Sequence, residues 1–239
     1  MIFLLKKKLN YISNFLKKKS PLYILKKISK IFSGKIIFST SFSIEDQVIS
    51  HIIFDNKIPI DVFTIDTGRL FPETYEVWDK TNKRYKTNIK TFFPYYKLIE
   101  NLIYKNGPNS FLNSIEKRKK CCFLRKIEPF KRGIKNKYIW ITGIRYFNSY
   151  ERRKTKILEW DNFNKIIKFH PLLYCKINDI INIINKFNIP YNFLYKKGFI
   201  SIGCSTCTRS VKFGESKYSR NGRWWWEKEN KKECGLHPH

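Results

Sequence analysis

Apolar residues recur at helical spacing over residues 9–32, where Pro21 marks a break or a helix start. The same spacing predicts helices over residues 44–54, with Ser43 as the N-cap, and over residues 72–87. Short and nearly continuous apolar runs separate these segments, as is typical of buried strands. The predicted strands cover residues 35–40, 60–65 and 138–142.

Strands that alternate with helices predict an α/β fold, with a mainly parallel sheet and helices on both faces. Polar loops follow the predicted strands at residues 39–46, 66–69 and 143–153. Ligands of such sheets bind beyond the carboxyl ends of the strands, so these loops are the expected binding region. The first of them also precedes a helix N-terminus, which is a natural site for an anion.

The last part of the chain has a different composition. From about residue 211 it is polar, contains glycine and is rich in tryptophan. We therefore predict an α/β domain over residues 1–210 and a mobile C-terminal tail over residues 211–239. The tryptophan run at 224–226 is expected to serve packing rather than chemistry, with at least one ring anchoring the tail.

The formal net charge of +29 over 239 residues is large enough to suggest binding to nucleic acid or anionic lipid. However, the 37 lysines far outnumber the 11 arginines, and they are scattered along the chain. Ile, Asn, Phe and Tyr are also abundant, which favours compositional drift over a dedicated nucleic-acid face. A basic surface still attracts an anionic nucleotide and an acidic protein donor.

Glu45 is the first acidic residue, and such an N-terminus can indicate an organelle transit peptide. The apolar run at residues 2–5 is too short for a membrane span or a signal sequence. No later segment reaches spanning length without a charge. We expect a cytoplasmic protein that does not bind membranes, and a homo-oligomer is left open.

The cysteines suggest metal or redox chemistry rather than a disulfide framework, because no secretory signal accompanies them. The adjacent pair Cys121-Cys122 and the C-x-x-C pair Cys204/Cys207 could together supply four thiolates to zinc or to an iron–sulfur cluster. Adjacent cysteines are, however, unusual in structural zinc sites. A redox dithiol at the C-x-x-C pair is the alternative. Cys175 is expected to be a small buried hydrophobe. The six cysteines are Cys121, Cys122, Cys175, Cys204, Cys207 and Cys234.

Longer motifs surround these cysteines. They are Cys-Cys-x-x-Arg-Lys at 121–126, Ser-Ile-Gly-Cys-x-x-Cys-Thr-Arg at 201–209, Gly-Arg-Trp-Trp-Trp-Glu at 222–227 and Glu-Cys-Gly-Leu-His at 233–237. With further matches at 41–46, 66–74 and 143–145, the chain resembles the adenylyl-sulfate reductase branch of the phosphoadenylyl/adenylyl sulfate reductase family. The resemblance runs from about residue 12 to residue 237. It implies an adenine-nucleotide alpha-hydrolase-like fold of the PP-loop type, and it weakens the transit-peptide interpretation.

The family implies reduction of adenylyl sulfate to sulfite and AMP in sulfate assimilation, with thioredoxin or a similar dithiol as the electron donor. By this resemblance Cys234 is the nucleophile and forms an enzyme thiosulfonate. Its basic neighbours, including Lys231 and Lys232, would lower the pKa of the thiol. The resemblance also implies a [4Fe–4S] cluster. Its ligands would be Cys121, Cys122, Cys204 and Cys207.

The family further implies a set of substrate-binding residues, including cations that neutralise the sulfate and the leaving phosphate. Ser43 stands where the family is expected to have glycine, and the loop after Arg145 lacks the usual charged pair. The implied substrate-binding residues are Ser41, Phe42, Ser43, Glu45, Asp46, Asp66, Thr67, Gly68, Lys126, Arg145, Arg220, Arg223 and His237.

Three alternatives stay open at this point. A phosphoadenylyl sulfate reductase would bind a further phosphate, but such members usually lack the four paired cysteines. A PP-loop enzyme of tRNA sulfur transfer would suit the +29 charge, yet the Glu-Cys-Gly-Leu-His motif argues against it. A basic binding protein without catalysis would give no reason for six cysteines in these settings.

Overall fold

The structure is a computed structural model, and it describes residues 12–14, 16, 19–146, 151–211, 221–227 and 235–236. Within these residues six strands form one sheet in the order β3-β2-β1-β4-β6-β5. The strands are β1 (Ile36–Thr40), β2 (Asp61–Ile65), β3 (Lys90–Phe92), β4 (Ile139–Ile141), β5 (Leu158–Asp161) and β6 (Ile166–Phe169).

The centre of the sheet is parallel, as predicted. Ile139 of β4 lies opposite Ile36 of β1 on one side and opposite Ile167 of β6 on the other, and both pairs are parallel. β5 pairs with β6 in the antiparallel direction. The chain builds the sheet outward from β1 through β2 to β3 and then returns to place β4 on the other side of β1. This reversal is a topological switch point, where ligands of α/β sheets bind.

Seven α-helices have both of their ends among the described residues. Ser20 and Ser43 cap the first two helices, since their hydroxyl oxygens accept hydrogen bonds from the Tyr23 and Asp46 amides. A π-helical turn, Phe123–Ile127, joins the helix Ile115–Cys122 to the helix Glu128–Gly133. The helices are α1 (Pro21–Ile31), α2 (Ile44–Asp55), α3 (Pro72–Tyr85), α4 (Tyr96–Asn106), α5 (Ile115–Cys122), α6 (Glu128–Gly133) and α7 (Ile177–Lys186).

The chain divides into two compact units. The first comprises Met1–Phe63, Glu76–Ile89 and Asn136–Asn192, and the second comprises Thr64–Tyr75, Lys90–Lys135 and Phe193–His239. Of the predicted tail, the structure describes residue 211, residues 221–227 and residues 235–236. No helix among the described residues has both the length and the apolar content that a bilayer crossing needs.

The core of the first unit lies on the faces of the sheet. Phe38, Ile141 and Phe169, from the three neighbouring strands β1, β4 and β6, are completely buried. Leu25 of α1 and Ile49 of α2 are buried in the same core. Burial of these apolar side chains is the main force that holds β1 and β4, and therefore the loops at their ends, in place.

Candidate functional site

The loop after β1 leads directly into the N-terminus of α2, in the first compact unit. Phe42 has a positive φ of 59° in this loop, and its buried ring stacks on Trp78 with the centroids 5.6 Å apart. Ser43 has an extended backbone, with a φ of −64°, so its position does not require the expected glycine. The loop therefore presents backbone amides at a helix N-terminus, where an anion binds favourably.

Asp46 connects this loop to the loop after β4. Its Oδ2 atom accepts hydrogen bonds from the Ser41 amide and the Ser41 hydroxyl, each 2.7 Å long. Its Oδ1 atom lies so close to Gly143 that a Cβ atom there would collide with it. Burial raises the pKa of Asp46 to about 6, with the Ser41 hydrogen bonds opposing the shift. Asp46 thus shapes the loop, and its binding of substrate stays a prediction.

Two further predicted substrate residues of the first unit pair with each other. The Arg145 Nε atom donates to the Glu45 Oε1 atom over 2.8 Å, and both side chains are buried. Arg145 also donates from Nη1 to the Cys175 carbonyl over 3.5 Å. A guanidinium carries five N–H donors, more than these two contacts use. Glu45 therefore orients Arg145, which keeps donors for an anion.

In the second compact unit, the turn after β2 is held by its own aspartate. Asp66 accepts a hydrogen bond of 2.7 Å from the Gly68 amide. The Tyr75 hydroxyl lies 3.0 and 2.9 Å from the two Asp66 carboxylate oxygens. Burial, together with this carboxylate, raises the pKa of Tyr75 to about 12. The Asp66 side chain is therefore engaged in forming the turn, and sequence analysis did not identify Tyr75.

The C-x-x-C segment contacts this same turn. The Thr67 Oγ1 atom lies 3.3 Å from the Cys204 Sγ atom, and the Ser205 amide donates to the Arg69 carbonyl over 2.8 Å. Burial, together with the neighbouring Cys204, raises the pKa of Cys207 to about 11. The second unit thus joins one cysteine pair to a predicted nucleotide-binding turn.

The adjacent cysteines belong to the same unit. Burial raises the pKa of Cys121, while Arg125 lowers it and the nearby Cys204 raises it. Cys122 hydrogen-bonds to Arg118. None of the cysteines that the structure describes forms a disulfide. Among those described residues, no three His, Cys, Asp or Glu side chains are arranged to hold a metal ion.

Arg118 forms a buried ion pair that sequence analysis missed. Its Nε and Nη2 atoms donate to the two Glu227 oxygens, each over 2.8 Å. Two guanidinium groups lie over the fully buried Trp224 ring, that of Arg118 4.5 Å and that of Arg223 4.7 Å from its centroid. Arg223, a predicted substrate residue, therefore contacts an aromatic ring and is itself buried. Only one feature of the sequence indicates that Arg118 lies near the site, namely that it precedes Cys122 by four residues, or one helical turn.

The π-helical turn Phe123–Ile127 carries Lys126, which is half-buried. The preceding Arg125 donates from Nη1 to the Thr67 carbonyl over 2.8 Å. Gly235 packs against Ile127, the last residue of the turn. It has a φ of +82°, and a Cβ atom there would lie 3.0 Å from the Ile127 Cδ1 atom. The neighbouring Leu236 is buried. The predicted residues Cys234, Arg220 and His237 lie outside the described residues.

A parallel sheet with polar loops at its switch point is typical of α/β proteins with a nucleotide-binding fold. Two cysteine pairs in one unit further indicate a member of this class that uses thiols. The family model of the phosphoadenosine phosphosulfate reductase domain matches residues 35–210. The chain belongs to this family.

Similar proteins agree with this assignment. The adenosine 5'-phosphosulfate reductase of Agrobacterium fabrum is 42% identical over 204 residues, which are 85% of this chain and 78% of that protein. The enzyme of the same name from Allochromatium vinosum is 39% identical over 202 residues, or 84% of this chain and 78% of that protein.

Solved structures support the fold. A phosphoadenylyl-sulfate reductase from Candida auris, in a phosphate complex, matches with a TM-score of 0.73 and 25% identity, covering 86% of this chain and 97% of that one. An FMN adenylyltransferase from Candida glabrata, with 18% identity and a TM-score of 0.55, covers 90% of this chain and 78% of its own and shares the fold alone.

Proposed function

We propose that this chain reduces adenylyl sulfate to sulfite and AMP, with thioredoxin or a similar dithiol as the donor, in sulfate assimilation. The two curated relatives described above carry the name of that activity. The observation that carries the proposal is the contact of Gly235 with Ile127. It joins the Glu-Cys-Gly-Leu-His motif to the π-helical turn that also carries Lys126 and follows the Cys121-Cys122 pair.

In the proposed reaction the Cys234 thiolate attacks the sulfur atom of adenylyl sulfate. A sulfur–sulfur bond forms, the bond from sulfur to the phosphate oxygen breaks, and AMP leaves with that oxygen. One donor thiolate then attacks the Cys234 sulfur and expels sulfite, and the second donor thiol resolves the mixed disulfide. The donor is oxidised to a disulfide, and two electrons reduce sulfur(VI) to sulfur(IV).

The bound substrate and the transition state both carry negative charge on the sulfate and the phosphate, and cations must neutralise it. Arg145 suits this task, because Glu45 orients it and its fork can donate to two oxygens. Lys126 supplies a point charge from the π-helical turn. Arg220, Arg223 and His237 complete the proposed set by resemblance. The Ser43 amide at the N-terminus of α2 is proposed to bind the phosphate.

The four paired cysteines are proposed to hold a [4Fe–4S] cluster, as the family implies. Such a cluster takes one thiolate for each of its four irons. Its ligands therefore need not converge on one point. Arg69 and Arg125 act electrostatically on Cys121, so cations are present to balance bound thiolates. When bound, the cluster would join the two cysteine segments and fix the charges around them.

The reaction is tested by sulfite release from adenylyl sulfate and from phosphoadenylyl sulfate, using protein purified without oxygen. Adenylyl sulfate is expected to be the faster substrate. Cys234→Ser should abolish sulfite release with both nucleotides, whereas Cys175→Ser, which removes a half-buried thiol of the first unit, should leave it intact. Faster turnover of phosphoadenylyl sulfate would overturn the choice of substrate.

The cluster is tested separately by iron and sulfide analysis and by visible absorbance. Cys204→Ser should lose iron, whereas Cys234→Ser should keep it, since Cys234 is proposed to act only on the substrate. Cys175→Ser again serves as the control. Loss of iron from Cys234→Ser would make that residue structural and would contradict its proposed role.

A further inference from the structure

A buried polar network lies beside the carboxyl end of β4, within the first compact unit, and the proposed reaction does not use it. The fully buried His170 has its Nδ1 atom 2.6 Å from the Thr142 Oγ1 atom and its Nε2 atom 3.4 Å from the Glu159 carboxylate. Lys168 lies 3.2 Å from Asp161 and 4.0 Å from Glu159. Polar groups at this depth are costly unless they are paired, so the network demands a defined hydrogen-bond pattern.

The direction of these hydrogen bonds follows from the state of His170. Burial lowers the pKa of His170, against the opposing charge of Glu159, so the imidazole is neutral and carries one N–H. The Glu159 carboxylate can only accept, which assigns that N–H to Nε2. Nδ1 is therefore an acceptor, and the Thr142 hydroxyl must donate to it.

The Thr142 oxygen then has lone pairs for a second partner. It accepts from the Ile144 amide over 3.3 Å, while the Thr142 amide donates to the Phe169 carbonyl over 3.0 Å. The hydrogen-bond chain therefore runs from the Ile144 amide through the Thr142 hydroxyl to His170. Ile144 immediately precedes Arg145, so the network ends on the turn that carries this cation.

We propose that Glu159, His170 and Thr142 form a positioning relay that fixes the turn at residues 143–145 and holds Arg145 in place for the anionic substrate. This inference rests on the proposed function. Gly143 gives the turn unusual backbone freedom, so the turn must be held by its neighbours. Asp46 contacts Gly143 from the side of α2. The relay supplies the second support, from the sheet.

The test compares Thr142→Val with Thr142→Ser in anaerobically purified holoprotein. Valine removes the hydroxyl and leaves the Ile144 amide without its acceptor, whereas serine keeps the hydroxyl. For Thr142→Val we expect the KM for adenylyl sulfate and the Kd for AMP to rise about tenfold, or about 1.4 kcal/mol. We expect kcat to stay within about twofold, because Arg145 would bind ground state and transition state alike. Thr142→Ser should restore both constants.

A second pair of variants tests whether the histidine acts through the threonine. His170→Leu removes the acceptor for the Thr142 hydroxyl and should reproduce the rise in KM, whereas His170→Asn offers a replacement acceptor and should restore much of the affinity. Ile180→Val, a buried change in α7 away from the turn, controls for lost stability. It should lower the melting temperature and leave KM unchanged.

The relay is overturned if Thr142→Val lowers the melting temperature but leaves both KM and the Kd for AMP at wild-type values. It is also overturned if Ile180→Val raises KM as much as Thr142→Val does. Failure of the proposed function would look different, since the wild-type protein would then release no sulfite. The AMP dissociation constants of the four variants would still decide whether the relay positions the site.

Discussion

The buried ion pair between Arg118 and Glu227 allows a sharp test of what stabilises the second compact unit. The two side chains are only 1% and 3% exposed, and both of their hydrogen bonds are 2.8 Å long. Glu227→Gln keeps the shape of the side chain but removes the carboxylate charge that pairs with the buried guanidinium. Removing one partner of a buried pair costs about 3–5 kcal/mol. That is a large part of the roughly 5–15 kcal/mol by which proteins are stable.

The assay is thermal unfolding followed by circular dichroism. For a chain of this size we expect Glu227→Gln to lower the melting temperature by roughly 10 °C. The matched control is Glu128→Gln, which breaks the partly exposed pair of Glu128 with Arg132 on α6. Pairs of this kind, one helical turn apart, contribute about 0.3–0.5 kcal/mol, so this variant should melt within about 2 °C of the wild type.

A double variant separates the buried charge from the lost contact. Arg118→Met combined with Glu227→Leu removes both charges and keeps an apolar side chain against Trp224. Replacing a whole buried pair with apolar residues is often neutral or stabilising, so the double variant should be more stable than Glu227→Gln. The reasoning is refuted if Glu227→Gln costs less than about 1 kcal/mol, or if the double variant is no more stable than the single one.

Three other predictions concern the loops. Glu45→Gln should raise the KM for adenylyl sulfate about tenfold, because a charge-assisted bond to Arg145 is weakened; unchanged initial-rate kinetics would contradict this. The raised pKa of Asp46, from 3.8 to about 6, means that its contribution is present at low pH and lost as the pH rises through 6. Urea unfolding should therefore show a loss of about 3 kcal/mol in the free energy of unfolding between about pH 3 and pH 7 that Asp46→Asn lacks, and the same pH dependence in both proteins would refute it. Tyr75→Phe should speed hydrogen exchange at the Gly68 amide about tenfold, because the Asp66 carboxylate loses its second donor; mass spectrometry would reveal an unchanged rate if this is wrong.

Local pattern was sufficient to predict the parallel centre of the sheet. The continuous apolar runs at residues 35–40 and 138–142 became β1 and β4, since buried parallel strands need apolar residues on both faces. The hydroxyl of Ser43 was likewise enough to predict where α2 begins. β3 was missed because its three residues, Lys90–Phe92, are too few to show a period.

Side-chain roles were harder to predict than elements, because they depend on partners far away in sequence. Glu45 and Arg145 were both identified from the family resemblance, but only the fold shows that they pair across 100 residues. Arg118 and Glu227 are 109 residues apart, and nothing in the sequence around either residue indicates that the other is its partner. Asp66 was identified as a substrate-binding residue by resemblance, but nothing in the sequence indicates that the Tyr75 hydroxyl lies against its carboxylate.

The π-helical turn at Phe123–Ile127 has a consequence for how this segment can change during evolution. Each residue of a helix rotates the chain by about 100°, and a π-helical turn accommodates one extra residue. Deleting a single residue there would restore a regular helix and swing Cys121 and Cys122 about 100° around its axis, away from Cys204. The length of this segment should therefore be under stronger constraint than the identity of its apolar residues, and variants that insert or delete one residue should fail where substitutions succeed.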